Sequence, residues 1–219
     1  MIPKIIYQFW TGENEITPNR IESLKTLKEY TKCEVKLIRS NDISEYLIKE
    51  HPLHEGYKYL SAIQKSDYLR SYLMNFHGGG YADIKRYSED NGWDKAFDDI
   101  NKDKRIDIIG DREIYGGSPI REYNQEPYLS QVLCNGCFIC RPDTDFTREW
   151  FRRVEQKMDE KLSLLKEHPA KDPFGTNDDY PLRWAELQGE IFHKLLVEKY
   201  DNLKIKNTLN SGISFFNYR

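Results

Sequence analysis

Nowhere does this chain approach the roughly 18 consecutive apolar residues of a membrane-spanning helix. Nor do its lysines and arginines gather into a dense run, and the formal net charge is −3. The first absence excludes a helical membrane protein. The second excludes the electrostatic footprint of a nucleic-acid or anionic-membrane binder. Cysteine is scarce as well: Cys33 stands alone, and Cys134, Cys137 and Cys140 lie in "CNGCFICRP". Their overlapping C-x-x-C spacings lack a fourth ligand at finger-like distance, so they read as small apolar residues of a buried strand rather than a zinc or redox site. The N-terminal "MIPKIIYQFW" has no small-residue cleavage site and reads as a first strand, not a signal peptide. The expectation is a cytoplasmic protein without a transmembrane segment. Internal repeats, low-complexity tracts and linkers are also missing.

What is present describes a soluble globular protein: 32% charged, 38% hydrophobic and 13% aromatic residues, including fifteen tyrosines, in 219 residues. That length suits one domain, residues 1–219, with a real core. The aromatic ending "SFFNYR" hints at a domain cut from a longer protein. Turn signals and apolar runs predict strands at Lys4–Trp10, Glu34–Ile38, Tyr81–Lys85, Ile106–Gly110, Gly136–Cys140 and Leu203–Lys206. Helices are predicted at Pro18–Tyr30, Asp42–Lys49, Tyr57–His77, Asp145–Leu165 and Leu182–Tyr200. Their alternation predicts an α/β fold with a largely parallel sheet flanked by helices, which binds ligands at the carboxyl ends of its strands. Asp111–Pro127 has the composition of a flap beside a site or of an ordinary long surface connection; His168–Pro181 is similar.

The most informative stretch is "SDYLRSYLMNFHGGGYADIKRY", Ser66–Tyr87. On a helix, Leu60, Ile63, Asp67, Arg70 and Met74 share one stripe, so Asp67 and Arg70 interrupt a partly apolar face. A charge there costs several kcal/mol unless paired, and an i, i+3 pair on the helix surface is the plainest explanation. Gly78, Gly79 and Gly80 then end the helix and allow close backbone approach to another backbone or to a ligand. In a strand that follows, Tyr81, Asp83 and Lys85 point to one face. A carboxylate there can hold a divalent cation on a diphosphate, and a lysine can meet phosphate charge directly.

"IPKIIYQFWTG", "KSDYLRSYLMNFHGGGYADI" and "CNGCFICRPDTDF", in that order, resemble the first strand, the S-D-x-x-R helix with its G-G-x-Y-x-D-x-D strand, and the later N-G strand of nucleotide-sugar glycosyltransferases. The resemblance is to glycosyltransferase family 32, to capsular polysaccharide transferases and to similar domains of large algal viruses. It implies a GT-A fold and transfer of a sugar from a nucleoside-diphosphate donor, a UDP-sugar for preference, to a glycan or other hydroxyl acceptor. It makes Asp83 the first acid of the D-x-D motif, a ligand to Mn²⁺ or Mg²⁺. Asp67 and Arg70, with Ser66, Gly80 and Tyr81 around them, would meet the donor. Gln8, Phe9, Trp10 and Thr11 at the end of the first strand, and Arg39 after the second, would meet the nucleoside, although one of Phe9 and Trp10 is expected in the core.

The departure from the pattern is Lys85, which stands where a second aspartate is expected. Either Asp83 holds the ion with water, phosphates and another residue, the preferred reading, or Lys85 replaces part of the ion's charge. His193 is a candidate late metal ligand, with helix packing as its alternative. Asp83, Lys85 and Arg70 would stabilise charge on the departing diphosphate. Asp178, Asp179 and Glu186 are candidates for a base, Asp179 foremost, against capping of the next helix. The competing functional reading is a non-catalytic sugar-nucleotide or glycan-binding domain with a degenerate metal site. A glycoside hydrolase would need two facing carboxylates that no spacing here supplies.

Overall fold

The structure is a computed structural model describing residues 1–113, 132–199, 205–206 and 208–216. Its centre is a six-stranded sheet. The strands are β1 (Ile5–Trp10), β2 (Glu34–Arg39), β3 (Gly79–Ala82), β5 (Ile108–Arg112), β6 (Leu133–Cys140) and β7 (Ile205–Lys206), in the order β2-β1-β3-β6-β5-β7. β1 is parallel to β2 and β3, and β5 is parallel to β7. β6 runs antiparallel to both its neighbours, β3 and β5, so five strands share one direction and one is reversed. The expected mostly parallel α/β sheet is the one observed. A second, two-stranded sheet pairs β4 (Arg86–Tyr87) with β8 (Ile213–Ser214).

Side-chain alternation along the strands builds two apolar layers. Tyr7, Phe9, Tyr81, Ile108 and Phe138 face one core with helices α2 (Ala62–Phe76), α4 (Asp145–Glu167) and α5 (Gly189–Lys199). Ile6, Ala82, Ile109 and Ile139 face the other, which is filled by Leu27 of α1 (Pro18–Tyr30) and by Trp93, Phe97 and Ile100 of α3 (Trp93–Lys102). All four cysteines are buried free thiols, three of them in β6, as a packing role requires.

Helix α1 starts where its sequence says: Thr17 accepts from the Arg20 amide and Pro18 opens the first turn. Other boundaries move. Asp42–Lys49 is a 3₁₀ segment, Ser40–Tyr46, and Tyr57–His77 divides into a 3₁₀ turn at Tyr57–Tyr59 and α2, capped by Ser61. Helix α5 begins at Gly189, well after Leu182. Residues 114–127 of the expected flap lie outside the described residues.

The largest correction concerns the glycine triplet. Gly78 and Gly79 have φ of 65° and 101°, values that a residue with a Cβ rarely adopts. The His77 and Gly78 amides both donate to the Leu73 carbonyl and close α2. Gly79 and Gly80 already belong to β3, so the strand ends at Ala82 and not at Lys85. Protein atoms pack close against these glycines. A Cβ at Gly78 would meet Pro142 at 2.4 Å, and one at Gly80 would meet Trp93 at 3.0 Å with Ile6 and Phe97 close behind. Gly80 is therefore a core position rather than a donor contact.

Candidate active site

Asp83 sits one residue beyond β3, where its amide still donates to the Gly136 carbonyl at 2.8 Å. There the chain turns back: the Lys85 amide donates to the Asp83 carbonyl at 2.8 Å, an i to i+2 bond centred on Ile84. The turn is held from outside by Arg20 Nη1 on the Ile84 carbonyl, by the Tyr87 hydroxyl on the Asp83 carbonyl at 2.9 Å and by Gln8 Nε2 on the same oxygen at 3.2 Å. Its result is an ion pair between Lys85 Nζ and Asp83 Oδ2. Strand alternation would have left these groups side by side; the turn makes them meet.

Helix α2 supplies the other half. Asp67 and Arg70 form their i, i+3 pair at 2.8 Å, but inside the protein, with side chains 6% and 9% exposed. The guanidinium lies 4.3 Å over the Tyr81 ring, donates from Nη1 to the Asn135 carbonyl at 2.8 Å, and comes within 4.0 Å of Asp83 Oδ1. The Tyr81 hydroxyl donates to that Oδ1 at 2.6 Å, and Ser66 hydrogen-bonds the same phenol. Asp67, Arg70, Tyr81, Asp83 and Lys85 are thus one connected cluster, with Ser66 and Gln8 attached. Buried Arg70 Nε and Gln8 Oε1 have no hydrogen-bond partner among the described residues.

The two aspartates titrate in opposite directions. Burial pushes the Asp67 carboxyl up to about 6, against the pull of Arg70 and with a push from Asp83. Burial would raise Asp83 too, yet Lys85 and Arg70, with hydrogen bonds from Lys85 and Tyr81, outweigh it and bring Asp83 down to about 2. Burial holds the Tyr81 phenol well above its ordinary range, so it remains a donor.

The first strand contributes less than its sequence promised. Phe9 is buried and stacks on Tyr81 with ring centroids 5.4 Å apart, which makes it core and not a nucleoside surface. Trp10, part-exposed, donates from Nε1 to the Asn14 carbonyl at 2.8 Å. Thr11 is buried and donates to the Ala62 carbonyl at 2.6 Å. Arg39 is exposed and pairs in register with Trp10. Trp10, Thr11 and Arg39 therefore share the carboxyl edge of the sheet with Asp83.

Two expected residues have other work. Asp179 accepts from Asn177 at 2.7 Å and from Lys171 at 3.2 Å, and lies 3.1 Å from His168 Nδ1; these contacts hold its carboxyl below the ordinary range and fix the loop. His193 is 2% exposed and donates from Nε2 to the Leu133 carbonyl at 3.1 Å, while burial lowers its pKa to about 4. It is a core histidine. Sequence reasoning also missed four contributors: Asn135 and Gly136 of β6, Tyr87, and Phe215, whose ring lies 4.6 Å from Lys85 Nζ. The N-G pair was visible, but nothing in it signalled contact with Asp83. A cavity of about 310 Å³ is lined by residues that include Arg112, Cys134, Asn210 and Phe215 but by none of the five cluster residues, and Phe215 is its link to Lys85.

A divalent ion at Asp83 would have to compete with Lys85 and Tyr81 for the carboxylate. Both Asp83 oxygens already accept, from Tyr81 and from Lys85. Among the described residues no three His, Cys, Asp or Glu side chains are grouped so as to hold a metal. The same residues show no helix long and apolar enough to cross a membrane.

Comparison with known proteins finds similarity in sequence and in structure. The family described as "Capsular polysaccharide synthesis protein" matches residues 1–98, a little under half of the chain. Among solved structures, "PaToxG Glycosyltransferase" is similar over 92% of this chain and 71% of that one, with a TM-score of 0.50 and 12% identity. Mouse xyloside xylosyltransferase 1, in its apo form, is similar over 94% and 84%, with a TM-score of 0.41 and 11% identity. No curated protein matches in sequence. The chain has the α/β fold of a glycosyltransferase.

Proposed function

We propose that this protein transfers a sugar from a nucleoside-diphosphate donor, a UDP-sugar for preference, to the hydroxyl of a glycan. The observation that carries this reading is the buried Arg70 guanidinium. It is stacked on Tyr81, oriented by Asp67, and set beside Asp83 and Lys85 at the carboxyl edge of the sheet. Open α/β sheets bind ligands at that edge. A second support is the sequence match of residues 1–98 to a polysaccharide-synthesis family.

Transfer breaks the bond from the anomeric carbon to the diphosphate oxygen, and the electron pair leaves with the diphosphate. Negative charge therefore grows on the leaving group in the transition state, and cations placed beforehand stabilise it more than they stabilise the ground state. Lys85 and Arg70 are those cations in this reading. Asp83 and Asp67 hold them in place, and Tyr81 holds Asp83. The acceptor hydroxyl forms the new bond to carbon. Asp179 is committed to its own loop, where Asp178 is exposed beside it, and Glu186 accepts from the Arg183 amide and pairs with Lys161. In this reading the departing phosphate oxygen therefore takes the acceptor's proton.

The test is release of nucleoside diphosphate from a panel of nucleotide sugars, with and without glycan acceptors, compared with Arg70→Gln. The proposal expects turnover with at least one donor and its loss in the variant. Tight nucleotide binding with no turnover of any donor would point instead to a binding domain.

A further inference from the structure

Resting on that reading, we infer that Lys85 supplies the charge a divalent cation was expected to supply, so that the diphosphate binds here as well without Mg²⁺ or Mn²⁺ as with them. Three independent features place the ammonium. The turn through Ile84 folds Lys85 back onto Asp83, the residue is buried to 7% exposure, and the Phe215 ring lies 4.6 Å from Nζ. A lysine delivered this way is a fixed charge rather than a solvated one.

Charge arithmetic points the same way. Two carboxylates with one divalent cation sum to zero, and Asp83 with Lys85 also sums to zero. Adding a dication to Asp83 would place it against the ammonium and in competition with the donors on the carboxylate oxygens. Arg70 adds the second cation within 4.0 Å of Asp83, and its buried, unpartnered Nε is a further donor for phosphate oxygens. The site therefore offers the leaving group two fixed cations without recruiting an ion.

Calorimetry on the wild-type protein decides the matter. UDP, GDP and ADP are titrated in EDTA, in Mg²⁺ and in Mn²⁺, with Mn²⁺ alone as a control. The inference expects the diphosphate that binds to do so with affinities within about twofold across the three conditions, and expects no Mn²⁺ binding by itself. Binding that needs the ion, or tightens more than about twofold with it, overturns the inference and leaves the nucleotide-sugar reading standing. Absence of binding under every condition overturns both.

Lys85→Met, which keeps apolar packing against Phe215, is expected to weaken diphosphate binding by about tenfold or more while the matching nucleoside binds as before. A Lys85→Met protein that folds and keeps full diphosphate affinity contradicts the inference. Lys85→Asp is expected to bind the diphosphate only when Mn²⁺ is present.

Discussion

Gly136 and Asp83 approach so closely that a Cβ on residue 136 would stand 3.1 Å from Asp83 Oδ2. The glycine of the N-G pair is the wall against which the carboxylate is set. Its own carbonyl accepts the Asp83 amide, and its neighbour Asn135 accepts from Arg70. β6 therefore positions both halves of the site from one dipeptide.

Gly136→Ala is accordingly expected to move the carboxylate by a few tenths of an ångström and loosen its pairing with Lys85. Donor turnover should fall roughly tenfold or more, since small misplacements of catalytic groups are costly. Urea unfolding should change by only about 1 kcal/mol. Unchanged kcat/KM would show that the Asp83 position is not critical.

The Asp67–Arg70 pair gives a prediction about stability. Removing one member of a buried pair strands the other charge, at a cost of about 3–5 kcal/mol. Asp67→Ala should lose that much in equilibrium unfolding. A loss below about 1 kcal/mol, the range of an exposed pair, would place the guanidinium in solvent.

His193 predicts a pH dependence. Its folded pKa, about 4, lies below the ordinary histidine value of 6.5, so between those values the unfolded chain holds more protons than the folded one. Stability from this group is full above about pH 6.5 and is lost as the pH falls towards 4. Asp67, raised in the folded state to about 6, contributes the opposite slope between about pH 4 and 6. Comparing wild type with His193→Gln, which can still donate to Leu133, isolates the histidine. The variant should lose less stability on acidification from pH 7 to 4.5, and parallel curves would refute the assignment.

Asp179→Asn tests a residue that sequence reasoning favoured as a base. Because the loop already engages both of its oxygens, kcat should stay within about threefold of wild type, far short of the 10²–10⁴ expected for loss of a general base. A loss of that larger size would return Asp179 to the chemistry.

Much of the fold was legible because its signals are local. The Thr-Pro entry and its apolar spacing gave α1 to the residue, and apolar runs with turn signals gave β1 and β2 within one residue at each end. Helix α3 was missed although Trp93, Ala96, Phe97 and Ile100 carry the helical spacing; its dense charges hid it. The two-residue strands β4 and β8 have no local signal at all. At the candidate site, Asp67 and Arg70 stood out because charges inside an apolar pattern need a reason, and Asp83 stood out through the motif resemblance. Gly136, Tyr87 and Phe215 were not, since each acts through a contact made only on folding. The triglycine was legible only in part: positive φ and close approach are visible in glycine, but whether protein or ligand comes close is a tertiary fact.

The most direct test of the account is a crystal structure of the protein with the nucleoside diphosphate that calorimetry identifies, grown in EDTA. The account predicts phosphate oxygens within hydrogen-bond reach, about 2.7–3.2 Å, of Lys85 Nζ and of the Arg70 guanidinium. A diphosphate bound away from both residues would contradict it.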